Sequence, residues 1–69
     1  MEREVKIRGD MIRLGQLLKI AGLIDAGGEA ASYLESHRVL VNGEPDGRRG
    51  RQLHPGDAVA VGDTTIRIV

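Results

Sequence analysis

The chain has 69 residues, ten basic and ten acidic side chains, and a formal net charge of zero. Its length predicts a single domain over residues 1–69, with little interior left for a deep catalytic pocket. The absence of cysteine excludes disulfides and cysteine-based zinc sites, and the balanced charge argues against a strongly nonspecific nucleic-acid binder.

The first half of the chain predicts one strand and two helices. Residues 4–8 alternate polar and apolar side chains, which is the period of a half-buried strand. The apolar spacing from Leu14 predicts a first helix over about residues 14–21, which Gly22 ends. A turn at residues 25–28 leads into a second helix, which stops near His37. We place His37 at a helix end that requires a positive φ, which histidine tolerates better than a β-branched residue.

The second half has the period of strands. Residues 39–41, 58–61 and 64–69 each predict a strand, and residues 46–51 a loop or irregular strand. Asn42-Gly43 predicts a hairpin turn because both residues tolerate a positive φ, and residues 54–57 predict another turn. The predicted order is β-α-α-β-β-β. This is an α+β domain in which a two-helix hairpin packs on a small, mostly antiparallel sheet. Whether the first and last strands pair stays open.

No residue pattern predicts catalysis or metal binding. The two histidines, His37 and His54, are 17 residues apart, and neither has a partner at metal-ligand spacing. Ser32 and Ser36 lie outside any nucleophile motif, and no two carboxylates stand out as an acid and base pair. We therefore expect a protein that is not an enzyme and carries no cofactor.

The arginines of the second half are the most informative side chains. Arg48, Arg49 and Arg51 fall within four residues around Gly50. Guanidinium groups bind phosphate oxygens bidentately, and glycine lets the backbone approach a ligand closely. Residues 48–69 carry a net charge of +2 and residues 1–47 carry −2, an asymmetry that the neutral total hides. A phosphate-binding loop and a solvated surface loop both fit this composition.

Several motifs in this order resemble those of a known family. They are Arg13-Leu14, Leu17-Leu18, Ile20–Leu23, Ala30, Leu34, Val39–Gly43 and Pro55–Asp57. With this spacing the chain resembles the S4 RNA-binding domain over about residues 12–61. It looks like the small stand-alone bacterial S4-like proteins of the YbcJ and YaaA type. The resemblance implies an S4-like (alpha-L) fold that binds structured RNA, often ribosomal.

The sequence also departs from that family in its second helix. Ala26-Gly27 stand where the family often has Ser-Arg, and Ala31 and Glu35 stand where it often has basic residues. Gly15 replaces the usual Asp after Arg-Leu, and His37 replaces the usual Gly before the strand. We therefore expect RNA contacts to shift toward other positions. The predicted contact residues are Arg13, Lys19, His37, Arg38, Arg48, Arg49 and Arg51.

The predicted function is that of a non-catalytic module docking on structured RNA, such as ribosomal RNA or a ribosomal particle, through the helical hairpin and the arginine-rich segment. Tyr33 is the only aromatic residue, which argues against stacking successive bases of a single strand. The alternative is a protein-interaction adaptor of a ribosome or RNA-processing complex with weak RNA affinity. We expect a cytoplasmic monomer without membrane association, whose partners are structured RNA and ribosomal or RNA-processing proteins.

Overall fold

Two short helices and a five-stranded sheet are the main elements of the computed structural model, which describes residues 1–69. The elements in chain order are β1 (Glu2–Val5), β2 (Ile12–Arg13), α1 (Leu14–Ile20), a 3-10 turn (Gly27–Glu29), α2 (Ala30–Ser36), β3 (Val39–Val41), β4 (Glu44–Pro45), β5 (Gln52–Leu53), β6 (Ala58–Val61) and β7 (Thr64–Ile68).

The main sheet has the strand order β1-β7-β6-β3-β4. Strand β1 pairs with β7 in parallel, and the other neighbours pair antiparallel. The predicted α+β class, with two helices and a mostly antiparallel sheet, is confirmed. The open question about the first and last strands is answered, because these two strands pair directly.

The boundaries differ from the prediction at the short strands. Strands β2, β4 and β5 have two residues each and add to the predicted order, since two residues are too few to show a hydrophobic period. Strands β2 and β5 pair only with each other. Strand β1 covers Glu2–Val5 rather than residues 4–8, because Glu2 is in register with Thr65 of β7.

The core joins both halves of the chain. Strands β3, β6 and β7 bury every second residue on one face of the sheet. Leu14, Leu17 and Leu18 of α1 are fully buried against this layer, and Ala30 and Leu34 of α2 complete it. The spacing of these leucines therefore fixes which face of α1 turns inward and leaves Arg13, Gln16 and Lys19 at the surface.

The ends of the two helices were predicted with different success. Gly22 has a φ of 79° and follows α1, as predicted from its place after the apolar stripe. The positive φ predicted for His37 is wrong: its φ is −127° and its ψ 138°. The chain leaves α2 directly in the extended conformation that leads into β3, so no left-handed residue is needed there. The ring of His37 stacks on Tyr33, with 4.0 Å between the ring centroids.

Candidate functional site

The segment 46–51, which we call the arginine loop, is attached to the beginning of α1. The backbone N–H of Leu14 donates to the carbonyl of Arg51 at 2.9 Å, and that of Gly15 donates to the carbonyl of Arg49 at 2.9 Å. The attachment continues in the pairing of β2, which directly precedes α1, with β5, which directly follows the loop. The loop and the first turn of α1 therefore form one surface, in which the backbone N–H groups of Leu14 and Gly15 already have acceptors.

Gly15 makes this close approach possible. A Cβ atom at this position would lie 3.3 Å from the Cβ of Ala30 and 3.4 Å from the carbonyl oxygen of Arg49. These distances are at or below the short end of ordinary Cβ contacts, so a side chain here would push Ala30 or the loop away by a few tenths of an ångström. The absence of a side chain at Gly15 therefore allows the backbone of Arg49 to lie against α1.

Asp46 anchors the side chains of the loop. Its carboxylate is only 6% exposed and accepts hydrogen bonds from the Arg48 side chain at 3.1 and 2.9 Å and from Arg51 Nη1 at 2.7 Å. It also accepts the backbone N–H of Arg48 at 3.0 Å. Arg49 has no carboxylate within ion-pair distance. The three arginines thus differ, since Arg48 and Arg51 share the Asp46 carboxylate and Arg49 is paired with no carboxylate.

Two aspartates near the loop have lowered pKa values. The hydrogen bond from the Arg48 side chain is the main cause for Asp46, whose pKa lies far below its usual value although burial opposes the shift. For Asp57 the main cause is the backbone N–H of His54, which donates at 2.7 Å and lowers the pKa of the carboxyl. Asn42 Nδ2 also donates to Asp57, at 3.1 Å. Both carboxylates are therefore held in their charged form by the fold.

These shifts predict acid sensitivity. A carboxyl with a folded-state pKa below its unfolded value of about 3.9 stabilises the fold fully above that value. This contribution is lost as the pH falls through about 4 toward the folded-state value. We expect the melting temperature to fall steeply below pH 4, as measured by circular dichroism. The Asp46→Asn variant should melt lower at pH 7 and show a shallower loss between pH 4 and 2; an unchanged acid slope in this variant would contradict the assignment.

On one side of the arginine loop lies an open hollow of ≈ 400 Å³, which we call the helix-side hollow. Three of the predicted contact residues, Arg13, Lys19 and Arg49, stand around it. The remaining lining residues are small or neutral: Gly15, Gln16, Gly27, Ala30 and Gly50. Three cationic side chains and no carboxylate therefore line the hollow, which suits a phosphate group.

On the other side of the loop lies a second open hollow of ≈ 540 Å³, the loop-side hollow. Arg48 and Arg51 line it together with Gly50, Gln52 and His54. The two hollows meet at Gly50. Five of the seven predicted contact residues thus line these two adjoining hollows, whereas His37 and Arg38 at the end of α2 line neither hollow.

Sequence reasoning missed three polar residues that line the hollows, Gln16, Gln52 and His54. Gln16 lines the helix-side hollow, and its Oε1 accepts the backbone N–H of Arg13 at 3.1 Å. Its spacing of three residues from both Arg13 and Lys19 on α1 was an available signal. Gln52 and His54 line the loop-side hollow and follow shortly after Arg51 in the chain, so their closeness to the arginines was an available signal.

Comparison with known proteins decides the family. The sequence profile described as the S4 domain matches residues 5–69. The chain belongs to the S4 domain family. The chain is also similar to the probable ribosome maturation protein RlbA of Bacillus subtilis (strain 168). The two are 51% identical over 61 residues, which cover 88% of this chain and 86% of that protein.

Two further structural findings describe this S4 domain. Neither seven-residue helix is long and apolar enough to cross a bilayer. No three histidine or acidic side chains lie close enough together to hold a metal ion.

Proposed function

We propose that this S4 domain binds structured RNA without catalysing a reaction, through the face formed by the arginine loop and the first turns of α1. The observation that carries this proposal is the helix-side hollow. Three cationic side chains from two distant segments surround it, no carboxylate lines it, and glycine forms part of its wall. Such a surface fits the phosphate groups of a folded nucleic acid.

The family and the relative support a ribosomal target. S4 domains are the RNA-binding modules that the sequence motifs indicated, and the similar protein is named for ribosome maturation. We infer that the RNA is ribosomal RNA, bound as a free precursor or within a ribosomal particle. Phosphate contacts fix position but carry little sequence information, so selectivity comes from the shape of the RNA and its 2′-hydroxyl groups.

The contact residues have unequal roles in this proposal. Arg13, Lys19 and Arg49 hold phosphates at the helix-side hollow. Arg48 and Arg51 form a second contact whose geometry Asp46 fixes. His37 and Arg38 lie outside this face and touch only an RNA that extends past the end of α2.

A salt series tests the proposal. We expect a folded ribosomal RNA fragment to bind more tightly than an unstructured strand of equal length. The logarithm of its affinity should fall against the logarithm of salt concentration with a slope of about −3 to −5, for three to five phosphates. Arg49→Gln should weaken binding about tenfold and make the slope shallower by about one, because it removes one phosphate contact.

Arg67→Gln is the matched control. It removes the same charge from β7, where Arg67 lies 4.0 Å from Glu2 and lines neither hollow. This variant should keep the wild-type slope. Equal losses in the two variants would refute the assignment of the face. A weak, flat salt response of the wild-type protein to both RNAs would refute RNA binding and favour the protein adaptor.

A further inference from the structure

A third depression has a different chemistry from the two hollows. It lies between the end of β1 and the outer side of α1, has a volume of ≈ 400 Å³, and we call it the apolar groove. Its apolar lining consists of Ile7, Met11, Ile12 and Ile20. Ile20 is 60% exposed and Met11 38% exposed, so two large apolar side chains of the groove are accessible to a ligand.

The rim of the apolar groove is basic and polar. Lys6 and Arg8 line it on one side and Gln16 on the other, and no carboxylate takes part. Asp10 and Glu4 belong to the neighbouring segments but do not line it. The groove therefore offers an apolar floor together with positive charge at its edge.

The apolar groove is continuous with the proposed RNA face. Gln16 lines both the apolar groove and the helix-side hollow. A shallow depression formed by Gln16, Lys19 and Ile20 lies between them on α1. A chain crossing the helix-side hollow thus meets the groove within about one helical turn, or about 5 Å along α1.

We propose that the apolar groove receives one unpaired nucleotide of the bound RNA, such as a bulged base next to the docked duplex. The inference rests on the proposed function and names the kind of RNA that the site selects. A nucleotide combines an apolar base face with an anionic phosphate, which matches the apolar floor and the basic rim. The groove has room for a single base. No aromatic side chain lines it, so the base would be contacted by the aliphatic side chains instead of stacking on a ring.

The test compares two RNA hairpins that differ only by one bulged adenosine. The wild-type protein should bind the bulged hairpin about tenfold more tightly. Ile20→Gln and Met11→Gln should each reduce this preference about fivefold to tenfold, because they remove apolar surface that the base covers. Binding to the fully paired hairpin should stay unchanged. Glutamine is a good helix former, so position 20 keeps its helix.

A fluorescent base gives an independent measurement. With 2-aminopurine as the bulged base, we expect an emission change on binding to the wild-type protein and a much smaller one with Ile20→Gln. Val69→Gln is the control, since Val69 is 44% exposed and borders the groove through its backbone contact with Ile7, but its side chain does not line it. It should keep the full preference.

The outcomes separate the two proposals. If the wild-type protein binds both hairpins equally and Arg49→Gln weakens both, the groove inference is wrong and the RNA face stands. If Ile20→Gln and Met11→Gln keep the full preference for the bulge, the groove inference is again wrong, because the base does not lie on these side chains. If the wild-type protein binds neither hairpin nor the ribosomal fragment, both proposals fail.

Discussion

Asp46→Ala should weaken RNA binding about tenfold, although it removes a negative charge from the binding face. The carboxylate holds Arg48 and Arg51 in one geometry through three side-chain hydrogen bonds. Without it, both guanidinium groups must be ordered by the RNA itself, at a cost of about 0.5–1.5 kcal/mol for each side chain. We expect this ordering cost to exceed the electrostatic gain in RNA binding that comes from removing the negative charge of Asp46. Titration of the variant with the ribosomal fragment at constant salt measures the net effect.

The same variant should lower the free energy of unfolding by about 1–3 kcal/mol, because the backbone N–H of Arg48 also loses its acceptor. Asp25→Ala is the matched control. It makes the same change in net charge at an exposed residue outside both hollows, and it should bind RNA as tightly as the wild type or slightly better. Tighter RNA binding by a folded Asp46→Ala variant would show that the carboxylate merely neutralises the loop and does not position it.

Gly15→Val should detach the arginine loop from α1. The new side chain meets Ala30 and the backbone of Arg49, so either the loop or α2 must move. Overpacking of this kind costs about 1–3 kcal/mol, and the hydrogen bond from Gly15 N to Arg49 O weakens with it. We expect a lower urea midpoint and a loss of RNA affinity beyond that of Arg49→Gln, since the whole loop shifts.

Gly28→Val controls for the loss of a glycine. A Cβ atom at Gly28 meets nothing within 4 Å, and its φ is not positive. This variant should keep both the urea midpoint and the RNA affinity close to those of the wild type. If Gly15→Val binds RNA normally while remaining folded, the contact between loop and helix does not position the site.

Local signals account for what the sequence predicted well. Asn42 and Gly43 have φ values of 51° and 85°, and the turn that they form depends only on these two residue types. The stripe of leucines in α1 depends only on the helical period. The family resemblance rests on such motifs and is confirmed by the profile match over residues 5–69.

Contacts between distant segments explain what the sequence could not predict. Strand β5 pairs with β2 across about forty residues, and this pairing, rather than any local pattern, places the arginine loop beside α1. The partnership of Asp46 with Arg48 did have a local signal, because an aspartate often accepts the backbone N–H two residues later. Asp46 and Arg48 neutralise each other locally, so the net charge of residues 48–69 overstates the free positive charge of the arginine loop.

The parallel pairing of β1 with β7 governs where the protein can be immobilised for the binding measurements. Because both strands run in the same direction, Met1 lies near Asp63 at one end of the sheet, and Val69 lies beside Val5 and Ile7 at the other. Ile7 lines the apolar groove, so a linker attached to Val69 would emerge beside that groove and could block RNA from it. A biotin or dye on an extension before Met1 leaves from the opposite end of β1 and keeps the groove accessible to RNA.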